Sequence, residues 1–213
     1  FVCIRTYDAD ACPLDEIRVG DWCFDKRIVA VDEHCTVLET LDEMHRQRST
    51  FALLMEHGGS DPLGVLDTPD VVRYVLKSSS GIAQSARRLL RRCVLAHPNA
   101  SVGEVCRHLC CGVRYVVVAS PHTGHGHQHP QVVSQRAMIH HILGLADYDT
   151  ASLSVTVKEA WLEGARPVVR CSQGATARQA FELMAAYGIT SVPIVDHNEQ
   201  AIAVISATDV LVA

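Results

Sequence analysis

Gly188–Leu211 reads GITSVPIVDHNEQAIAVISATDVL. Two β-rich runs lie within it, Ser191–Val195 and Ile202–Ile205, and short β-branched runs set apart by polar residues pair as neighbouring strands. Ser206 then offers a polar cap for a helix whose first turn contains Thr208 and Asp209. The same text occurs earlier in the chain. AVISATDVLVA (Ala203–Ala213) answers GVLDTPDVVRYVL (Gly64–Leu76) at an offset of 139 residues, from 64 to 203. Trp22 and Trp161 keep the same offset of 139. Between these marks Thr36–Met44 answers Thr176–Met184, one residue out of step. A fixed internal period is the mark of a duplicated structural unit.

A weaker third copy lies between the two. Gln131–Leu143 (QVVSQRAMIHHIL) is preceded by Ala100–Ser120, which repeats a helix-then-strand order. The chain therefore divides into an N-terminal extension and linker (1–27), a first unit (28–78), a second (93–144), a linker (145–166) and a third unit (167–213). Each unit opens on a short apolar strand: Ile28–Val31, Cys93–Ala96 or Pro167–Cys171. Helical spacing follows, at Val37, Leu41 and Met44, then Val102, Val105 and Leu109, then Ala180, Leu183 and Met184. Two strands come next: Phe51–Met55 with Leu63–Leu66, Tyr115–Ala119 with Gln131–Val133, and the pair quoted above. A second helix begins at Asp67-Thr68-Pro69, Ser134 or Ser206, Pro69 suiting a first helical turn. The order is β-α-β-β-α, an α/β (α+β) class. Units of about 50 residues hold small cores, which predicts that they pack in pairs. The first unit is expected to pair with the second. The third is then expected to be the first half of another pair whose partner lies past Ala213, because the 139-residue period repeats at the level of pairs.

Composition narrows the function. Of 213 residues, 19 are Lys or Arg and 24 Asp or Glu, a net charge of −5, which argues against a nucleic-acid binder held by general basic charge. No apolar run reaches the roughly 18–20 residues of a membrane span. The nine cysteines are odd in number, form no CxxC pair and sit mostly in apolar periodic stretches, so they read as buried thiols of a cytosolic or nuclear protein. No P-loop, HExxH, GxSxG or dinucleotide fingerprint is present, so the chain is not expected to be an enzyme.

The order of elements, together with the VPIVD…ISATD stretch of Gly188–Leu211, resembles the CBS domain, a module that packs in tandem as a Bateman pair. Within that family the chain is similar to the gamma regulatory subunits of AMP-activated protein kinase, which carry four copies. The resemblance runs from about Arg18 onward. It implies a non-catalytic, energy-sensing regulatory module that binds AMP, ADP or ATP, requires no cofactor, and works with the catalytic and scaffold subunits of a kinase or as a CBS homodimer. It also implies phosphate contacts for Arg136 and Arg114. In the second unit Ala137 stands at the position of the usual Asp. Val113 replaces a family His, and Pro69 replaces a Thr in the first unit. These departures favour one alternative, a nucleotide-free scaffold or dimerisation module; a further alternative is the regulatory part of a larger enzyme or transporter.

The chemistry such a site needs is recognition. One carboxylate accepts hydrogen bonds from both hydroxyls of a ribose, and Asp70 and Asp209 stand where a helix N-terminus favours negative charge. Thr68, Ser206 and Thr208 add hydroxyls beside them. Arg166 and Arg170 join Arg114 and Arg136 as phosphate candidates, guanidinium binding phosphate bidentately. Val168, Val192 and Ile194 are candidates for an apolar adenine slot. Each has a plainer reading, an Asp as a helix cap and an Arg as solvated surface. The loop Pro121–Pro130 holds His122, His125, His127 and His129; imidazoles bind metals, but the loop brings no Cys and no rigid support, and a polar hairpin insertion is the reading preferred. His140 and His141 are expected on a partly exposed helix face.

Overall fold

The computed structural model describes residues 13–22, 24, 28–59, 62–77, 83–91, 93–119, 130–145 and 168–211. In the first repeat β1 (Ala30–Asp32) runs parallel to β2 (Phe51–Met55), and β2 pairs antiparallel with β3 (Pro62–Asp67). A parallel pair needs a crossover, supplied by α1 (Val37–Arg46), and α2 (Thr68–Lys77) follows β3. The second repeat has the same plan: β4 (Val94–Ala96), α3 (Val102–Cys110), β5 (Tyr115–Val118), β6 (Gln131–Ser134) and α4 (Gln135–Leu143). So does the third: β7 (Cys171–Ser172), α5 (Ala177–Tyr187), β8 (Ser191–Val195) and β9 (Ala201–Ser206), closed by a 3-10 turn at Ala207–Leu211 in place of the expected helix. The β-α-β-β-α order expected from the repeat is complete in the first two repeats, and the third shows its β-α-β-β part.

The crossover helices start alike because their sequences do. Thr36, Ser101 and Thr176 each accept a hydrogen bond from the backbone N–H three residues on. Glu39 and Gln179 complete reciprocal capping boxes by accepting the Thr36 and Thr176 N–H groups, at 2.7 and 2.8 Å. α5 stops at Gly188, whose φ of 65° is the left-handed cap that glycine adopts without a Cβ penalty. The predicted apolar faces turn inward: Val37, Leu41 and Met44; Val102, Val105 and Leu109; and Ala180 and Met184 are buried, while Leu183 is half-buried against the same core.

Two compact units are present, one of Phe1–Ile28 with Cys93–Ala165, the other of Val29–Arg92 with Arg166–Ala213. Within the second unit the first and third repeats share apolar packing. Val72 of α2 is buried in the cluster of Cys171, Ala180, Met184, Val192 and Ala207, and Leu211 reaches the core of the first repeat. The third repeat was expected to find its partner past Ala213; it has one inside the chain, because α2 is apolar on more than one side and presents Val72 and Leu76 to α5.

Residues 13–24 correct a second expectation. They are more than an extension: Leu14, Val19 and Phe24 are buried in the core of the second repeat. Val19 and Gly20 donate to the carbonyls of Ala100 and Pro98, and Val102 donates to Ile17. A Cβ at Gly20 would lie 2.7 Å from the Pro98 carbonyl oxygen, so this approach requires glycine. Trp22 stacks on His141 at 5.2 Å, which gives that histidine a packing role. The segment ahead of the second repeat packs likewise on the first, through buried Ala86 and Leu89. A Cβ at Gly64 would meet the Arg91 carbonyl at 2.3 Å there.

Of the cysteines described, all six are free; Cys171 is buried, but Cys110 and Cys111, at the C-terminal end of α3 and in the turn after it, are exposed. Burial pushes the Cys93 thiol pKa up. Among the described residues, no helix is long and apolar enough to cross a membrane.

Candidate functional site

The three repeats build the turn between their last strand and second helix in three ways. In the first repeat Asp67 ends β3, and its carboxylate accepts the Asp70 N–H at 3.0 Å. In the second, Ser134 Oγ accepts the Ala137 N–H at 3.2 Å, and Ala137 offers nothing in return. In the third the direction is reversed: the Asp209 carboxylate accepts the Ser206 N–H at 2.7 Å. The chain enters these turns by a common route, Thr68 N–H donating to the Thr50 carbonyl and Ala207 N–H to that of Thr190.

The two candidate carboxylates therefore differ in what they face. Asp70 is only 8% exposed, and its Oδ1 accepts hydrogen bonds from Arg73 Nη1 at 2.6 Å and Arg91 Nε at 2.8 Å. Thr68 beside it is buried as well. Asp209 is exposed. Its neighbours are hydroxyls: Ser206 Oγ lies 2.5 Å from Thr208 Oγ1 and 3.4 Å from Asp209 Oδ2. The third turn thus gathers one solvent-facing carboxylate and two hydroxyls within four residues, a donor-and-acceptor set suited to a polyhydroxylated ligand.

The basic candidates divide between repeats. Arg170 immediately precedes β7 and pairs with Glu199 at 2.5 Å, both side chains largely exposed. Cys171 pairs with Ile194 in the parallel ladder, and Ser191 faces Ser206 across the antiparallel one. The Arg170–Glu199 pair therefore sits toward the β8–β9 hairpin, while Ser206 closes the opposite end of the third sheet. Arg114 lies between α3 and β5, and Arg136 is exposed in the first turn of α4. Arg166 lies outside the described residues, as do His122, His125, His127 and His129. The apolar slot needs correction. Val192 is fully buried and Ile194 packs with it in the core beneath α5, so these two serve packing. Val168 is 74% exposed, and Ile202 and Val204 are 55% and 65% exposed on β9. Sequence reasoning missed the guanidinium pair on Asp70. Arg73, three residues along α2, was a readable signal; Arg91, 21 residues away, was not.

Residues 163–213 match the CBS domain family. No curated protein matches the sequence. Among solved structures, a Methanocaldococcus jannaschii protein described as a candidate archaeal homolog of g-AMPK superposes with a TM-score of 0.70 at 17% identity, covering 92% of this chain and 71% of its own. The CBS domain of a bacterial CNNM/CorC family Mg2+ transporter, in complex with ATP, gives a TM-score of 0.51 at 16% identity over 62% of this chain and 90% of its own. A CBS domain protein from Pyrobaculum aerophilum complexed with AMP gives 0.48 at 18% identity, covering 61% of this chain and 100% of its own.

Proposed function

We propose that this chain, whose residues 163–213 match the CBS domain family, is a non-catalytic regulatory module that binds an adenine nucleotide at the Ser206–Asp209 turn of the third repeat. The observation that carries this reading is the contrast between the two carboxylates. Asp209 is exposed beside two hydroxyls, whereas Asp70 is buried under two guanidinium groups. Asp209 accepts hydrogen bonds from the ribose hydroxyls, with Thr208 and Ser206 alongside. Arg170 exchanges Glu199 for phosphate, and Arg166 is its companion candidate. Arg114 and Arg136 remain the phosphate candidates of the second repeat, where Ala137 leaves the ribose without a carboxylate. Support comes from the family match over 163–213 and from the fold shared with a CBS domain solved with ATP.

The regulated partner is read at a coarser level. One fold likeness is to a candidate g-AMPK homolog, the other to part of a Mg2+ transporter. The reading that accommodates both is the regulatory part of a larger enzyme or transporter, of which a kinase gamma-like subunit is a special case. A ligand acts in such a module only through its differential affinity for two states of the assembly. Calorimetric titration with AMP, ADP and ATP tests the binding claim. Asp209→Asn keeps an acceptor for the Ser206 N–H but removes the charge, and it is expected to weaken binding at least about tenfold, the loss of one good hydrogen-bonding partner being worth about 1.5 kcal/mol or more. Wild-type affinity in Asp209→Asn, or no heat with any of the three nucleotides, contradicts the assignment.

A further inference from the structure

The first repeat carries a cluster that nucleotide recognition does not use. Asp32 ends β1, His34 follows it in the turn, and His57 lies just past β2, beside the β1 end because the two strands run in parallel register with Asp32 opposite Met55. One potential ligand atom from each of the three lies within 4.8 Å of the others. His57 Nδ1 is 2.7 Å from Asp32 Oδ2, and the His34 and His57 rings are 5.1 Å apart between centroids. From this geometry we infer that Asp32, His34 and His57 bind a divalent cation of the zinc class.

The donor set selects the metal. Two imidazoles and one carboxylate suit Zn2+ and its borderline neighbours, whereas Mg2+ and Ca2+ take oxygen ligands. Arms of about 2.0–2.1 Å in a tetrahedron set ligand atoms about 3.3 Å apart. The Asp32–His57 pair is already closer than that, and the exposed His34 ring needs only a side-chain rotation. The fourth position opens to solvent, the His57 side chain being 71% exposed.

The backbone beneath the cluster is fixed, which separates it from a chance surface group. Glu33 N–H donates to the Met55 carbonyl at 3.0 Å. The Glu33 carboxylate is buried, accepts the His57 N–H at 3.3 Å and is paired with Arg87. Asp32 Oδ1 accepts the His34 backbone N–H at 2.9 Å, which ties the carboxylate to the turn that carries His34. Glu33 thus fixes the His57 backbone, and Asp32 fixes the His34 backbone, so both imidazoles spring from anchored main chain.

The test is Zn2+ titration of the full chain against a chromophoric chelator, with imidazole 15N shifts recorded in parallel. His34→Ala/His57→Ala is expected to lose one equivalent of Zn2+, or to weaken it by more than about tenfold, since even outer partners contribute roughly 10–100-fold. Replacing His122, His125, His127 and His129 by Ala is expected to leave that equivalent in place. In the wild-type chain one equivalent should move the ring nitrogens of both His34 and His57. Unchanged stoichiometry and affinity in the double variant, or saturation that moves neither ring, overturns the site. Because no nucleotide enters the measurement, its outcome is independent of the regulatory reading.

Discussion

Replacing Asp70 separates a structural carboxylate from a binding one. In Asp70→Ala two hydrogen bonds to guanidinium groups disappear, at 2.6 and 2.8 Å, together with an acidic group in the first turn of α2. Bonds to charged groups contribute roughly 1.5–3 kcal/mol each. Here the guanidinium side chains are 31% and 57% exposed, so water recovers much of their solvation and the figure must be discounted. A helix N-terminal charge adds about 0.3–1 kcal/mol. The net loss comes to about 2 kcal/mol, or about 4–8 °C in Tm for a chain of this size. Urea unfolding followed by circular dichroism measures it, and Arg91→Ala should reproduce part of the loss. Nucleotide affinity should stay within about twofold of wild type, since the altered carboxylate already has its partners. Stability within about 0.5 kcal/mol of wild type, together with a loss of nucleotide binding equal to that of Asp209→Asn, would refute this reasoning and return Asp70 to the ligand site.

Three further outcomes follow from packing and capping. Val72→Ala removes two buried carbons at the α2–α5 contact and should cost about 1.5–2.5 kcal/mol, with hydrogen-exchange protection falling in α5 as well as α2; loss confined to the first repeat would contradict the shared core. Tyr74 Oη is buried with no hydrogen-bond partner among the described residues, so Tyr74→Phe should be neutral or stabilising by up to about 1 kcal/mol in thermal unfolding. The Thr36 N–H and then its hydroxyl lower the Glu39 pKa from 4.5. A depressed carboxyl stabilises the fold above its unfolded value and loses that effect as pH falls through its folded one. The stability gap between wild type and Glu39→Ala should therefore be full above about pH 4.5 and close in more acidic solution; a gap independent of pH would count against the capping box.

The fold was legible because it is written three times. Strand positions such as Phe51–Met55 and Ser191–Val195, and helix faces such as Val37, Leu41 and Met44, depend on local periodicity that each copy repeats. What pairs with what was not legible. Val72 and Leu76 read as one apolar helix face whichever neighbour they meet, so nothing local in the sequence assigns them to α5. The burial of Leu14, Val19 and Phe24 in the second repeat was hidden for a similar reason: short 3-10 turns have no period to detect, and the approach of Gly20 to Pro98 spans 78 positions. At the site, the turn chemistry of Ser206–Asp209 was visible in the residues themselves. The closure of Asp70 by Arg91 depended on a long-range contact. Val192 and Ile194 were misassigned because alternation along a strand leaves undetermined which face meets the helices and which meets a ligand.

The central claim places a nucleotide at the turn of the third repeat, and an NMR titration of the 15N-labelled chain with AMP and ATP tests it most directly. The account predicts that amide shifts move first and furthest at Ser191, Ser206, Thr208 and Asp209, with Asp70 and Arg73 unmoved. Shifts centred on Thr68–Arg73, or none in the third repeat at saturating nucleotide, would contradict it.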